Sequence, residues 1–147
     1  MVRSIIGVIV GYIIMFVLNF IGFVTLYAVV GPSQAFKARS YLASNRWILM
    51  SLVIIFITGI IAGLICAAIA KGGRAPLALA LVVIVLGLLL AIPAVMKARA
   101  NAGMARPAEI TQMEAAQNAY WPIWAPFLFP FISAAGVVVG GKLKRRS

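Results

Sequence analysis

Few residues in this chain could take part in covalent chemistry. Histidine is absent, Cys66 is the only thiol, and Glu109 and Glu114 are the only carboxylates. Ser/His/Asp and Cys/His arrangements both need an imidazole base, so the chain cannot assemble either one. Zinc and iron sites draw on several His, Cys or carboxylate ligands, so no metal site is expected. Glu109 and Glu114 stand five residues apart, on different faces of a helix, which does not suit a carboxylate pair working on one proton. The expectation is a protein that is not an enzyme and has neither catalytic residues nor a cofactor.

The residues with physical leverage are small or amidic. Gly7/Gly11, Gly59/Gly63 and Gly136/Gly140 form three Gly-x-x-x-Gly pairs. Between helices in lipid there is little hydrophobic drive, and association depends on close backbone approach through small residues. At 3.6 residues per turn, Gly7, Gly11, Asn19 and Gly22 share about a third of one helix circumference. Gly59, Gly63, Cys66 and Ala70 form a tighter stripe on another helix. These faces are expected to pack within the monomer, contact between copies being the alternative. Asn19 is the most polar side chain deep in any apolar stretch. It is expected to act as packing glue by bonding a backbone carbonyl, Ser51, Thr58 or Ser133, and the alternative is that it lines a polar cavity. Cys66 reads as a small packing residue.

The elements that position these residues are four apolar stretches without charge, at about 5–30, 47–70, 75–96 and 121–141. Each meets the roughly 20 residues that a helix needs to cross a bilayer core. The 147 residues have 65% hydrophobic content and mean hydropathy +1.13, which leaves room for four helices and short loops in one domain. The fold class expected is all-α, an integral membrane four-helix bundle. The first stretch is too long for a signal-peptide core of roughly 7–15 residues and reads as an uncleaved helix.

Local signals set the boundaries. Gly31-Pro32 should end the first helix. The residues at 71–74 read as a tight turn, with Pro76 tolerated in the first turn of the third helix. That helix is rich in Leu, Val and Ala, a composition suited to lipid exposure. In the long connection 97–120, Pro107 is expected to open a short helix over about 107–119, either interfacial or an ordinary solvated loop helix. Pro122, Pro126 and Pro130 recur every four residues in the last stretch, among Trp121, Trp124, Phe127, Phe129 and Phe131. Interior prolines remove backbone hydrogen bonds. The three are read as a helix start with kinks, the alternative being a hinge or a ligand-facing broken helix. Lys37-Ala38-Arg39 and Lys97-Ala98-Arg99 hint at a duplicated hairpin, but their flanks do not align.

Net charge is +11. The basic residues flank the apolar stretches, which suits anionic lipid head groups rather than nucleic acid. Arg3, Lys142, Lys144, Arg145 and Arg146 are the expected head-group contacts. Four crossings place both termini and 71–74 on one side with seven basic residues, against six on the other. The free amino terminus adds a charge, so both termini are expected to be cytoplasmic.

Several short motifs carry a resemblance. They are Gly11-Tyr12, Ala35-Phe36 then Ser40-Tyr41 before Trp47, and Met113-Glu114-Ala115 with Gln117-Asn118-Ala119 ahead of an aromatic last helix. The chain resembles four-pass bacterial membrane proteins of no assigned function. The resemblance implies a multi-pass protein of the bacterial inner membrane and brings no activity with it, since none is assigned to that group. The expected role is structural or accessory, with the lipid bilayer, other membrane proteins or a second copy as partners. A small oligomeric transporter or channel using the Pro-broken fourth helix is the main alternative. A lipid-binding protein or membrane enzyme with an Arg/Tyr head-group pocket comes third.

Overall fold

The computed structural model describes residues 1–71 and 73–147. It contains α1 (Val2–Val30), α2 (Pro32–Ala35), α3 (Asn45–Ala70), α4 (Ala75–Asn101), α5 (Gln112–Asn118) and α6 (Ala125–Arg146). The architecture is all-α, and pairing outside helices is limited to isolated bridges among the described residues. α1, α3, α4 and α6 are each long and apolar enough to cross a membrane.

Capping chemistry explains most boundaries. α1 stops at Gly31, whose φ of 73° is a left-handed value that glycine adopts without strain. Pro32 then opens α2. α3 begins at Asn45 rather than Trp47, because the Ser44 hydroxyl accepts the Trp47 N–H at 3.1 Å. It closes at Lys71, in the left-handed region with φ 53°. Gly72, part of the expected turn, lies outside the described residues.

Other boundaries also differ from those expected. α4 runs through Pro93 to Asn101 instead of stopping near Met96. Tertiary bonds hold this extension: Lys97 Nζ donates to the Ala116 carbonyl at 2.9 Å and Asn101 Nδ2 to the Asn118 carbonyl at 2.9 Å. The short helix starts at Gln112, after Thr111, and Pro107 lies outside it. A capping box fixes that start: the Thr111 hydroxyl accepts the Glu114 N–H at 3.2 Å, and Glu114 Oε2 accepts the Thr111 N–H at 3.0 Å. The last helix begins at Ala125 and ends at Arg146, not at 121 and 141. Pro122 therefore precedes the helix, Pro126 sits in its first turn, and only Pro130 is interior. A proline disfavours helical backbone in the residue before it, which keeps Trp121 outside.

The helices run alternately in direction, but chain order is not spatial order. α3 packs against α1 on one side and α6 on the other, and α4 packs against α6. α3 and α4 are consecutive, yet they share little surface because α6 lies against both. α3 and α6 are parallel neighbours meeting backbone to backbone. A Cβ at Gly59 would lie 2.5 Å from the Ser133 carbonyl oxygen, and one at Gly63 would run into the Val137 carbonyl. From the other side, a Cβ at Gly136 would strike the Phe56 carbonyl and one at Gly140 the Ile60 carbonyl. α1 lies antiparallel on α3: a Cβ at Gly7 would come within 2.9 Å of the Cys66 carbonyl oxygen, and one at Gly22 within 2.9 Å of Ile54 Cγ2. α1 is close to α4 at Gly11, where an added Cβ would lie 2.8 Å from Leu79 Cδ2. Leu79, Cys66, Ala62 and Val137 are all 0% exposed and close the core toward the termini.

At the opposite end the two longer connections fold together into a cap. Phe36 bridges Ala43, Ser40 bridges Ala105, and Leu42 bridges Tyr120. Arg106 holds the segments together: its N–H donates to the Arg39 carbonyl at 3.1 Å and its Nε to the Ser40 carbonyl at 2.9 Å. Its guanidinium lies 5.5 Å from the Phe36 ring centre.

Candidate functional site

Toward the cap, α1 and α4 diverge around a cleft of about 320 Å³. One face of α1 (Tyr12, Met15, Asn19, Phe23) looks across at one face of α4 (Val83, Gly87, Leu90, Ala91, Ala94). Both sets follow helical spacing, so each helix presents a continuous strip. Ile55 of α3 and Pro126, Phe129, Pro130 and Ser133 of α6 complete the walls. Pro130 is placed by Gly87, since a Cβ there would collide with the proline ring. Leu90 lines the cleft and is also 63% exposed, so the cleft opens on the outer, apolar face of the bundle.

The polar groups of the cleft gather about halfway along the helices. The Thr58 hydroxyl donates to Asn19 Oδ1 at 2.8 Å, closer than its 3.1 Å approach to the Ile55 carbonyl. Thr58 is thus the partner Asn19 takes among those the sequence offered. Asn19 Nδ2 has no hydrogen bond among the described residues. Ser133 is 5% exposed, and its hydroxyl donates to Met15 Sδ at 3.1 Å. A thioether is a weak acceptor, so this donor is only lightly engaged. Tyr12 is the one titratable side chain in the lining.

Aromatic side chains close the cap-side end. Trp121 packs edge-on against Phe129 with centroids 4.8 Å apart, and Phe23 lies 6.4 Å from Trp121. Beyond them is a second chamber of about 310 Å³, lined by Phe20, Tyr27, Phe36, Trp47 and Tyr120 together with Ala residues of α5. Phe23 and Trp121 border both chambers. The Tyr27 hydroxyl is buried without a hydrogen-bond partner among the described residues.

The other residues singled out from sequence take different places. Gly7, Gly11, Gly22, Gly59, Gly63, Gly136 and Gly140 form the interhelical contacts described above, away from the cleft walls. The α3 stripe is divided between two partners: Gly59 and Gly63 face α6, whereas Cys66 and Ala70 meet α1 at Gly7. Of the prolines, Pro126 and Pro130 line the cleft and Pro122 does not. Arg3, Lys142, Lys144, Arg145 and Arg146 are exposed at the terminal end, where Arg145 Nη2 bonds the Gly73 carbonyl. Gly87, Gly141 and Arg106 were given no role from the sequence, and Trp121 was read only as one of the aromatics of the last stretch. The first two left a signal: Gly87 interrupts a Leu/Val helix, and Gly141 follows Gly140, where an added Cβ would lie 2.5 Å from Pro76 Cβ. Nothing local marks Arg106: its one near bond is Nη1 to the adjacent Pro107 carbonyl, and the partners that tie the cap together, Arg39 and Ser40, lie 66 residues away or more.

Fold and cleft define a class: an all-α helical bundle with four helices of membrane-crossing length and composition around a laterally open apolar cleft. No protein-family model, curated protein or solved structure matches the chain.

Proposed function

We propose that this is a non-catalytic, multi-pass protein of the bacterial inner membrane with a structural or accessory role, its termini cytoplasmic. The observation that carries the reading is the α1/α3/α6 core, in which glycines bring helix backbones into contact and, among the described residues, no Lys, Arg, Asp or Glu side chain intervenes. Such an interface resists sliding, because packed backbones have no side-chain slack. The outward faces of α1 and α4 are apolar, with Phe16, Phe20, Leu81 and Leu89 more than half exposed, and suit lipid or the helices of a larger assembly. The basic terminal end suits anionic head groups.

The cleft gives the transporter or channel reading a specific observation, since Asn19 and the interior Pro130 meet there. Flux through reconstituted vesicles separates the two. The accessory reading expects vesicles containing the wild-type protein to be as tight to ions and small solutes as protein-free ones. A selective leak that Asn19→Ala abolishes while the helices stay intact would replace it with the channel reading.

A further inference from the structure

We propose that the α1/α4 cleft is a binding site for a neutral, lipid-soluble ring bearing carbonyl acceptors, of the quinone class. Four features of the cleft select this chemistry.

The first is access. Leu79, Cys66 and Val137 seal the terminal side, and Trp121 with the loop cap closes the other. The opening lies between α1 and α4, past the exposed Leu90, so a ligand arrives from the hydrocarbon phase. The second is the pair of donors. Asn19 has its Oδ1 occupied by Thr58 and keeps its Nδ2 hydrogens. Ser133, more than nine-tenths buried, spends its hydroxyl on a thioether. A polar hydrogen in an apolar site is stabilised by a true oxygen acceptor, and both donors lack one. The third is shape, since Phe23, Trp121 and Phe129 form aromatic walls that favour a flat ring held edge-on or offset. The fourth is charge. No Lys, Arg, Asp or Glu lines the cleft, so an ionised head group would be left unpaired. A plain acyl chain would leave both donors unsatisfied. The volume of about 320 Å³ is at the lower end of small-ligand pockets. The tail of such a ligand would leave by the lateral opening between α1 and α4, beside the exposed Leu90.

The test is thermal unfolding of the full chain in lipid nanodiscs with two probes of equal tail length, an alkyl-benzoquinone and the matching alkylbenzene. The quinone is expected to raise the melting temperature in a saturable way and the alkylbenzene to do so weakly, because binding to the folded state stabilises it by mass action. Asn19→Leu and Ser133→Ala should each weaken quinone binding by about tenfold, the scale of one lost hydrogen bond in a dry site. Ala94→Phe should block binding by filling the cleft. Equal effects of the two probes on wild type would overturn the proposal without any variant having to fold. Full quinone affinity in a folded Asn19→Leu/Ser133→Ala double variant would also overturn it. Equally effective competition by a single-chain lipid would reassign the cleft to acyl chains.

Discussion

A methyl group at position 63 has nowhere to go. The nearest atoms are the backbone of Val137, which cannot rotate aside as a flexible side chain could. Gly63→Ala should therefore push α3 and α6 apart and lower stability by about 1–3 kcal/mol, the usual cost of overpacking. Gly103 is the internal control: it has no neighbour within 4 Å of an added Cβ and no left-handed φ. Gly103→Ala should leave thermal stability in detergent unchanged. Equal melting temperatures for the two variants would mean that the α3/α6 contact does not limit stability. The same reasoning separates glycines that admit a neighbour from Gly31 and Gly73, whose positive φ values serve turns.

At the scale of elements, α5 is the most dependent on its cap. Seven residues are too few to hold a helix by propagation alone. The Thr111–Glu114 capping box and the bonds from Lys97 and Asn101 to its carbonyls hold it in place. Thr111→Ala should cost about 0.5–2 kcal/mol of local stability. Amide hydrogen exchange should then speed up in α5 and leave α3 and α6 unaffected. Unchanged exchange in α5 would show that packing of Ala115 against Phe36 and Trp47 suffices. α6 illustrates a second lesson at this scale. Three prolines at intervals of four read as a helix start followed by two kinks, but the chain uses them as a pre-helix residue, a first-turn residue and a single interior proline.

For the molecule as a whole, the bond from Arg145 to the Gly73 carbonyl places the basic tail beside the α3–α4 turn. The amino terminus lies at the same end, because Gly7 packs near Ala70. Seven basic residues thus gather at one end, and the cap at the other holds six. The proposed orientation has the terminal end cytoplasmic. A reporter fused after Ser147 should be active only when it depends on cytoplasmic conditions, and activity confined to the extracytoplasmic space would invert the topology.

The class of the molecule was legible in its amino-acid pattern. The number of long helices, their apolar length and the absence of charge within each stretch follow from composition, because a bilayer-length helix satisfies its own backbone and needs only apolar side chains, whereas the short α2 at Pro32–Ala35 was not expected. Asn19 stood out for the same reason, as an amide in hydrocarbon needs a partner, and Thr58 was among the few on offer. Cap signals local to Gly31-Pro32 were legible too. Which helices touch emerges only once the chain is folded. Gly-x-x-x-Gly marks a face as suited to close approach without naming the partner, so the parallel α3/α6 pairing and the splitting of the α3 stripe between α1 and α6 could not be read from spacing. The cleft was hidden for a related reason. It arises because α1 and α4 touch at Gly11 and Leu79 and then diverge, and its walls come from four helices far apart in sequence. The loop cap depends likewise on Arg106 reaching Arg39 and Ser40, contacts whose energy is realised only after the chain has closed on itself.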